Sequence, residues 1–365
     1  MQTIPIKSFT GGVIAIEANL GNSNQPLNFI VDTGSGGISL DSSTCVELGC
    51  SMVNTDTTVS GIAGVKKVAF VFNQKLTTGN LVTDSLNFYV NDYSLLTSIY
   101  GIKIDGIIGY SFLNKYIVQI NFDSSLIRLY SQGKFNYENS GYTLHPSVNK
   151  LLAQPLTVKD KLKLTYNFFL DSGAGLNLLM TEQFAKDYNI ISNKRKPVVT
   201  QAEGVGGKKS MLLTVIKTLK IGPFSFKNVP TYLYNDDQNV IRYPYAAGLL
   251  GNDLLRRFNI TLNYFKKEVH IVPNTHFNDR FDYTYTGLSL YDVNGKIIID
   301  DIVENSPASK AGLKNGDELV SVANVMNANI QEYNILFQKA TDTLKLIVKR
   351  NEQLLFLALQ PISIR

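Results

Sequence analysis

Short runs of β-branched and aromatic residues recur along the chain, each closed by glycine, asparagine or aspartate. Val68-Ala69-Phe70-Val71-Phe72 and Glu268-Val269-His270-Ile271-Val272 are examples. Such runs between turn formers predict strands, and they dominate residues 1–275. Past residue 276 the pattern changes. Asn278-Asp279-Arg280-Phe281-Asp282 is polar and predicts a linker. Beyond it, Ile297-Ile298-Ile299, Glu318-Leu319-Val320-Ser321-Val322, residues 344–348 and residues 354–357 predict strands. Ser306 as N-cap, Pro307 in the first turn and Gly312 at the stop predict a short helix. Ile330, Tyr333 and Phe337 fall on one stripe of a second helix.

Within the β-rich part the chain is written twice. Phe29-Ile30-Val31-Asp32-Thr33-Gly34-Ser35-Gly36 recurs as Phe168-Phe169-Leu170-Asp171-Ser172-Gly173-Ala174-Gly175. Asp105-Gly106-Ile107-Ile108-Gly109 recurs as Ala247-Gly248-Leu249-Leu250-Gly251, and Gly61-Ile62-Ala63-Gly64 as Gly204-Val205-Gly206-Gly207. The strand Ile117-Val118-Gln119-Ile120-Asn121-Phe122 matches Asn259-Ile260-Thr261-Leu262-Asn263-Tyr264. Three motifs in one order at one spacing indicate a duplicated fold. One short helix is expected after each Asp motif and one after each Ile/Leu-Gly motif. The expected organisation is a first lobe over 1–133, a second over 134–275, and a linker with a small α+β domain over 276–365.

Composition narrows the function. Of 365 residues 44% are hydrophobic and 18% charged, so folded cores are expected and disorder is not. The formal net charge is only +5, too diffuse to point to nucleic acid. No apolar run approaches the roughly 18 residues of a membrane span. Cys45 and Cys50 are either two small thiols or a local disulfide, and neither makes a disulfide scaffold. Met1 is followed by Gln2-Thr3-Ile4-Pro5-Ile6-Lys7 with no apolar stretch of a leader. Strand-like sequence starts at once, which predicts an exported mature form, periplasmic or extracellular, with a cytoplasmic chain as the alternative.

The chemistry lies in the two aspartates. Each ends an apolar strand and is followed by a hydroxyl residue and a glycine. A duplicated fold pairs its halves about a pseudo-two-fold axis, and equivalent residues near that axis face each other. Two carboxylates about 3 Å apart cannot both ionise and share a proton. One member then takes a proton from water while the other protonates a peptide carbonyl oxygen. Thr33 and Ser172 carry hydroxyls able to bond across the lobes. Gly34 and Gly173 let backbone approach the carboxylates without a Cβ. Gly61, Ile62, Ala63 and Gly64, with Gly204, Val205, Gly206 and Gly207, suit hairpin tips that close over a peptide.

These residues resemble the aspartic proteases: Asp32-Thr33-Gly34 with Ile107-Ile108-Gly109, repeated as Asp171-Ser172-Gly173 with Leu249-Leu250-Gly251. With a glycine-rich flap in each lobe, the chain is more similar to two fused retropepsin-type halves than to a pepsin. The resemblance covers about residues 10–272. It implies a mainly β bilobal fold, a cleft between lobes, endopeptidase activity on polypeptides, and catalysis by Asp32 and Asp171 without metal or other cofactor. Ser172 stands where threonine is commoner, and neither flap shows an obvious tyrosine. The segment from Ser306 to Leu319 resembles PDZ domains of the bacterial protease-associated type, over about 283–360. That likeness implies peptide or C-terminus binding at Gly287, Leu288, Ser289 and Leu290 beside the 330–340 helix, with Ser289 where glycine is usual.

Other motifs fail. Gly204-Val205-Gly206-Gly207-Lys208-Lys209-Ser210 lacks phosphate-loop spacing, with Lys209 at the hydroxyl position. No Gly-x-Ser-x-Gly elbow occurs, and His145, His270 and His276 form no ligand cluster with cysteines or acids. The chain therefore reads as a monomeric aspartic endopeptidase with a PDZ domain that recruits polypeptide. The alternative is an inactive peptide-binding adaptor built on the same parts.

Overall fold

The computed structural model describes residues 1–61, 64–204, 207–326 and 329–365. It is mainly β, as the alternating runs predict. Among the described residues, thirteen strands form one sheet, eight a second and six a third. The strand Leu27–Val31 is buried except at Asn28. A continuous apolar run of this kind belongs inside a layer, and it lies between Ile14–Leu20 and Gly106–Ile108. It pairs parallel to Gly106–Ile108 with Ile30 opposite Ile107. In the second half Lys163–Asp171 pairs parallel to Gly248–Gly251 with Phe169 opposite Leu249, which is the same register in repeat coordinates.

The two halves are sewn together by equivalent strands. Ile117–Asn121 pairs antiparallel with Phe258–Asn263, placing Ile260 opposite Ile120 and Leu262 opposite Val118. Val118 and Ile260 are equivalents in the repeat, as are Ile120 and Leu262. Each residue thus faces its partner's counterpart, as a two-fold axis through the seam requires. Buried side chains on both sides of this seam belong to one continuous core, among them Phe29, Ile120, Phe168 and Leu262.

The expected short helices are present at Ser42–Glu47, Tyr110–Leu113, Glu182–Asp187 and Asn252–Leu255. A fifth, Ser94–Tyr100, was not expected. Among the described residues it has no counterpart in the second lobe, where the Asp236 carboxylate accepts the Val240 and Ile241 N–H groups, both at 2.8 Å. Seven residues are too short for a periodic signal, and Leu95, Leu96 and Ile99 read equally well as strand.

The C-terminal unit orders its strands Ser289–Val293, Lys296–Asp300, Asp317–Val322, Leu344–Arg350 and Gln353–Leu359, with Ser289–Val293 at the edge. The Ile330–Gln338 helix starts with a capping box, Asn329 accepting from the Glu332 N–H at 3.0 Å and Glu332 from the Asn329 N–H at 2.9 Å. Its stripe of Ile330, Tyr333 and Phe337 packs into a separate core with Leu290, Ile299 and Val348. Ser306 caps the Pro307–Lys310 helix, and Gly312 follows at φ 81. The 276–282 linker is pinned: buried Arg257 donates through Nη1 to the Asp279 carbonyl at 2.6 Å and stacks 4.1 Å from the Phe281 ring. Cys45 and Cys50 are free thiols, and burial, then Cys50 itself, pushes the Cys45 thiol up to about 12. Among the described residues no helix is long and apolar enough to cross a membrane.

Candidate active site

Asp32 follows Val31 at the end of its strand, its N–H donating to the Ile108 carbonyl at 2.9 Å. Asp171 ends the equivalent strand in the other lobe. The chain must leave each strand without crossing its neighbour, and the hydrophobic-hydrophobic-Gly motif makes room for that turn. A Cβ on Gly109 would sit 2.4 Å from the Gly37 and Ser35 carbonyl oxygens, and one on Gly251 2.1 Å from the Leu176 carbonyl oxygen. These contacts are too close for any side chain, which explains why both motifs end in glycine.

The loops meet across the lobes through four reciprocal hydrogen bonds. The Thr33 N–H donates to Ser172 Oγ at 3.0 Å and Thr33 Oγ1 donates to the Leu170 carbonyl at 2.8 Å. In return the Ser172 N–H donates to Thr33 Oγ1 at 3.0 Å and Ser172 Oγ donates to the Val31 carbonyl at 2.8 Å. Both hydroxyls are buried, and serine serves as well as threonine because only the oxygen is used.

The clasp brings the carboxyls together. A Cβ on Gly34 would lie 2.4 Å from Asp171 Cγ, and one on Gly173 2.5 Å from Asp32 Cγ. Each lobe's glycine backbone therefore packs directly on the other lobe's carboxyl. Asp32 accepts the Gly34 N–H at 2.7 Å, and Asp171 accepts the Gly173 and Ala174 N–H groups at 2.9 and 3.1 Å. Burial, and then the adjacent Asp32 charge, pushes Asp171 well above the usual carboxylate range. Asp32 is raised as well, by burial. The pair holds a proton where a free carboxyl would have lost it, and its two titration steps belong to the pair.

Both carboxyls line a cavity of about 900 Å³. Val59, Ser60 and Gly61 of the first-lobe hairpin line it, as do Gln201, Ala202, Glu203 and Gly204 of the second. Gly61 pairs with Gly64 and Gly204 with Gly207 at the hairpin ends. Ile62, Ala63, Val205 and Gly206 lie outside the described residues. Leu288, Ser289 and Leu290 line the same cavity, while Gly287 lies beside it in a smaller pocket of about 180 Å³. His270 instead bonds Thr143 and the Ser140 carbonyl, and His276 bonds Asp279.

The sequence reading missed Glu203, the residue just before the second glycine cluster. Its Oε1 accepts from Ser289 Oγ and from Tyr291 Oη, both at 2.9 Å, so the second hairpin is clasped to the C-terminal unit. Tyr291 also bonds Asp301, which pairs with Lys208 Nζ at 2.6 Å. One hydroxyl proton cannot be donated to two carboxylates. Burial pushes the Glu203 carboxyl up, so Glu203 takes a proton at a higher pH than a free glutamate would. A raised native value means that the clasp is strongest in acid and weakens as pH rises through that value. Glu203→Gln, which carries its own protons, is therefore expected to raise the thermal midpoint at neutral pH by about 1–3 °C and to leave it unchanged in acid. Scanning calorimetry at the two pH values checks this.

The model of the family described as aspartyl protease matches residues 16–112 and 155–254. The chain belongs to the aspartyl protease family, whose substrates are polypeptides. The match takes in both Asp motifs, both Ile/Leu-Gly motifs and both hairpins, and stops short of the C-terminal unit. No curated protein matches the chain.

Proposed function

We propose that this protein is an endopeptidase in which Asp32 and Asp171 activate one water for attack on a peptide carbonyl. The ionised member removes a proton from the water as its oxygen bonds to the carbonyl carbon. The protonated member gives its proton to the carbonyl oxygen, forming a neutral tetrahedral species. The acid that took the water proton gives it to the amide nitrogen, while the other takes back a proton from a hydroxyl on the tetrahedral carbon. The C–N bond then breaks to a carboxylic acid and an amine, and the pair again holds one proton. No side chain becomes covalently attached to substrate. The observation that carries this reading is the packing of each lobe's glycine on the opposite lobe's carboxyl, which sets the two acids side by side, with the Asp32 charge pushing Asp171 up. The cavity above them, rimmed by two hairpins, suits an extended chain.

The C-terminal unit reads in the same proposal as a PDZ domain. Supporting this are the edge strand Ser289–Val293, the Ile330–Gln338 helix of the same unit, and the turn through Gly287 at φ 73 that leads into the strand. Peptide addition to such an edge uses backbone hydrogen bonds for affinity.

The test is cleavage of denatured β-casein from acid to neutral pH, with product ends read by mass spectrometry. Cleavage is expected inside the window where the pair carries one proton, falling on both sides. Loss on the alkaline side follows from the raised native value, because deprotonating the second acid removes the proton donor. Cleavage that persists undiminished in Asp32→Asn would sink the mechanism.

A further inference from the structure

The C-terminal groove and the catalytic cleft are not separate places. Leu288, Ser289 and Leu290 of the strand side, and Gln331, Asn334 and Gln338 of the helix side, line the same cavity as Asp32 and Asp171. The three amides sit at helical spacing on the face beside the core-facing Ile330, Tyr333 and Phe337.

The other end of the groove is closed by the first lobe. Gln331 Nε2 donates to the Tyr100 carbonyl at 3.2 Å, and its Oε1 accepts from the Thr10 N–H at 2.7 Å. A Cβ on Gly101 would lie 2.6 Å from Ile330 Cγ2 and 3.6 Å from Asp292 Oδ2. The end of the Ser94–Tyr100 helix is thus wedged where strand and helix would let a bound chain run on. Thr10, Tyr100 and Gln331 also line the cavity that holds Asp32 and Asp171, so this closed end borders the dyad cavity and the groove is continuous with it.

Charge at the open end decides what kind of segment fits. The adjoining pocket is lined by Asp282 and Asp301, with no lysine or arginine among its described lining residues. Burial pushes Asp282 up to about 6. A chain-terminal carboxylate would find no cation among the described lining residues to meet it, whereas the neutral backbone of an internal segment needs none.

We propose that the groove between the Ser289–Val293 strand and the Ile330–Gln338 helix is the far half of the substrate cleft, occupied by the same internal, extended polypeptide segment that crosses Asp32 and Asp171. Asn334 and Gln338 are then specificity residues whose amides bond the segment's backbone. The inference rests on the peptidase reading but has its own readout.

Fluorescein-labelled β-casein peptides of about four to about sixteen residues, the longest reaching roughly 50 Å when extended, are bound to the Asp32→Asn protein and followed by polarisation. Affinity is expected to rise about tenfold once peptides are long enough to enter the groove, and the long-to-short ratio to fall toward unity in Asn334→Ala and Gln338→Ala. Amidating the peptide C-terminus is expected to change affinity less than about twofold. Affinity independent of length, a ratio unchanged in both variants, or a strict need for a free carboxylate would each overturn the proposal. A merely structural helix would weaken short and long peptides together, leaving the ratio intact, and that outcome also counts against it. If wild-type protein cleaves casein but binding ignores length, only the groove is wrong. If length matters but casein survives, only the peptidase is.

Discussion

Asp171→Asn is expected to lower kcat on a casein-derived peptide by at least about 10³-fold, and at neutral pH to raise the unfolding midpoint. The first effect follows from the loss of one member of an acid–base pair whose members must exchange roles within each turnover. The second follows from the sign of the shift. Burial and the Asp32 charge hold the native Asp171 carboxyl above its ordinary value. Such a group favours the fold fully only below the unfolded value, and that contribution is lost as pH rises through the native one. Asparagine removes the buried negative charge while keeping the shape. For a gain of about 1 kcal/mol the midpoint rises by about 1–2 °C at neutral pH and does not rise in acid. Asp32→Asn is expected to match the activity loss. Parallel measurement of kcat and midpoint tests both statements, and an active Asp171→Asn enzyme would remove the paired-acid account.

Ser172→Ala is expected to cost about 2–4 kcal/mol of stability and to reduce activity with it. The hydroxyl is buried, accepts from the Thr33 N–H at 3.0 Å and donates to the Val31 carbonyl at 2.8 Å. Alanine leaves both backbone groups unpaired at the lobe interface, where water cannot replace the lost partner without displacing the loops. Those loops carry the carboxyls, so a small relaxation is felt as misalignment. Ser172→Thr keeps the oxygen and is expected to recover most of the loss, the added methyl costing about 1 kcal/mol of crowding. Denaturant unfolding with kcat on the same samples checks this. A Ser172→Ala change within about 0.5 kcal/mol of wild type would mean that the clasp does not hold the lobes.

The parts legible from sequence are those where one residue type serves one local demand. Gly109 and Gly251 repeat because a Cβ would strike carbonyl oxygens in both lobes, so the repeat itself announced the turn. What stayed hidden depends on contacts between distant segments. The Glu203 to Ser289 bond links residues 86 apart, and the Gln331 to Tyr100 bond spans 231. Neither leaves a local pattern. The Ser94–Tyr100 helix stayed hidden because its seven residues form no repeat of their own and match nothing in the second lobe.

That unmatched helix has a consequence for direction. A site built from two identical halves looks the same to a chain threaded head-first or tail-first, and would cut in either sense. Here one half carries an extra wedge at Tyr100 while the opposite hairpin is tethered through Glu203, so the two mouths of the channel differ in shape and in polarity. A polypeptide entering this cavity therefore meets different groups at its two mouths.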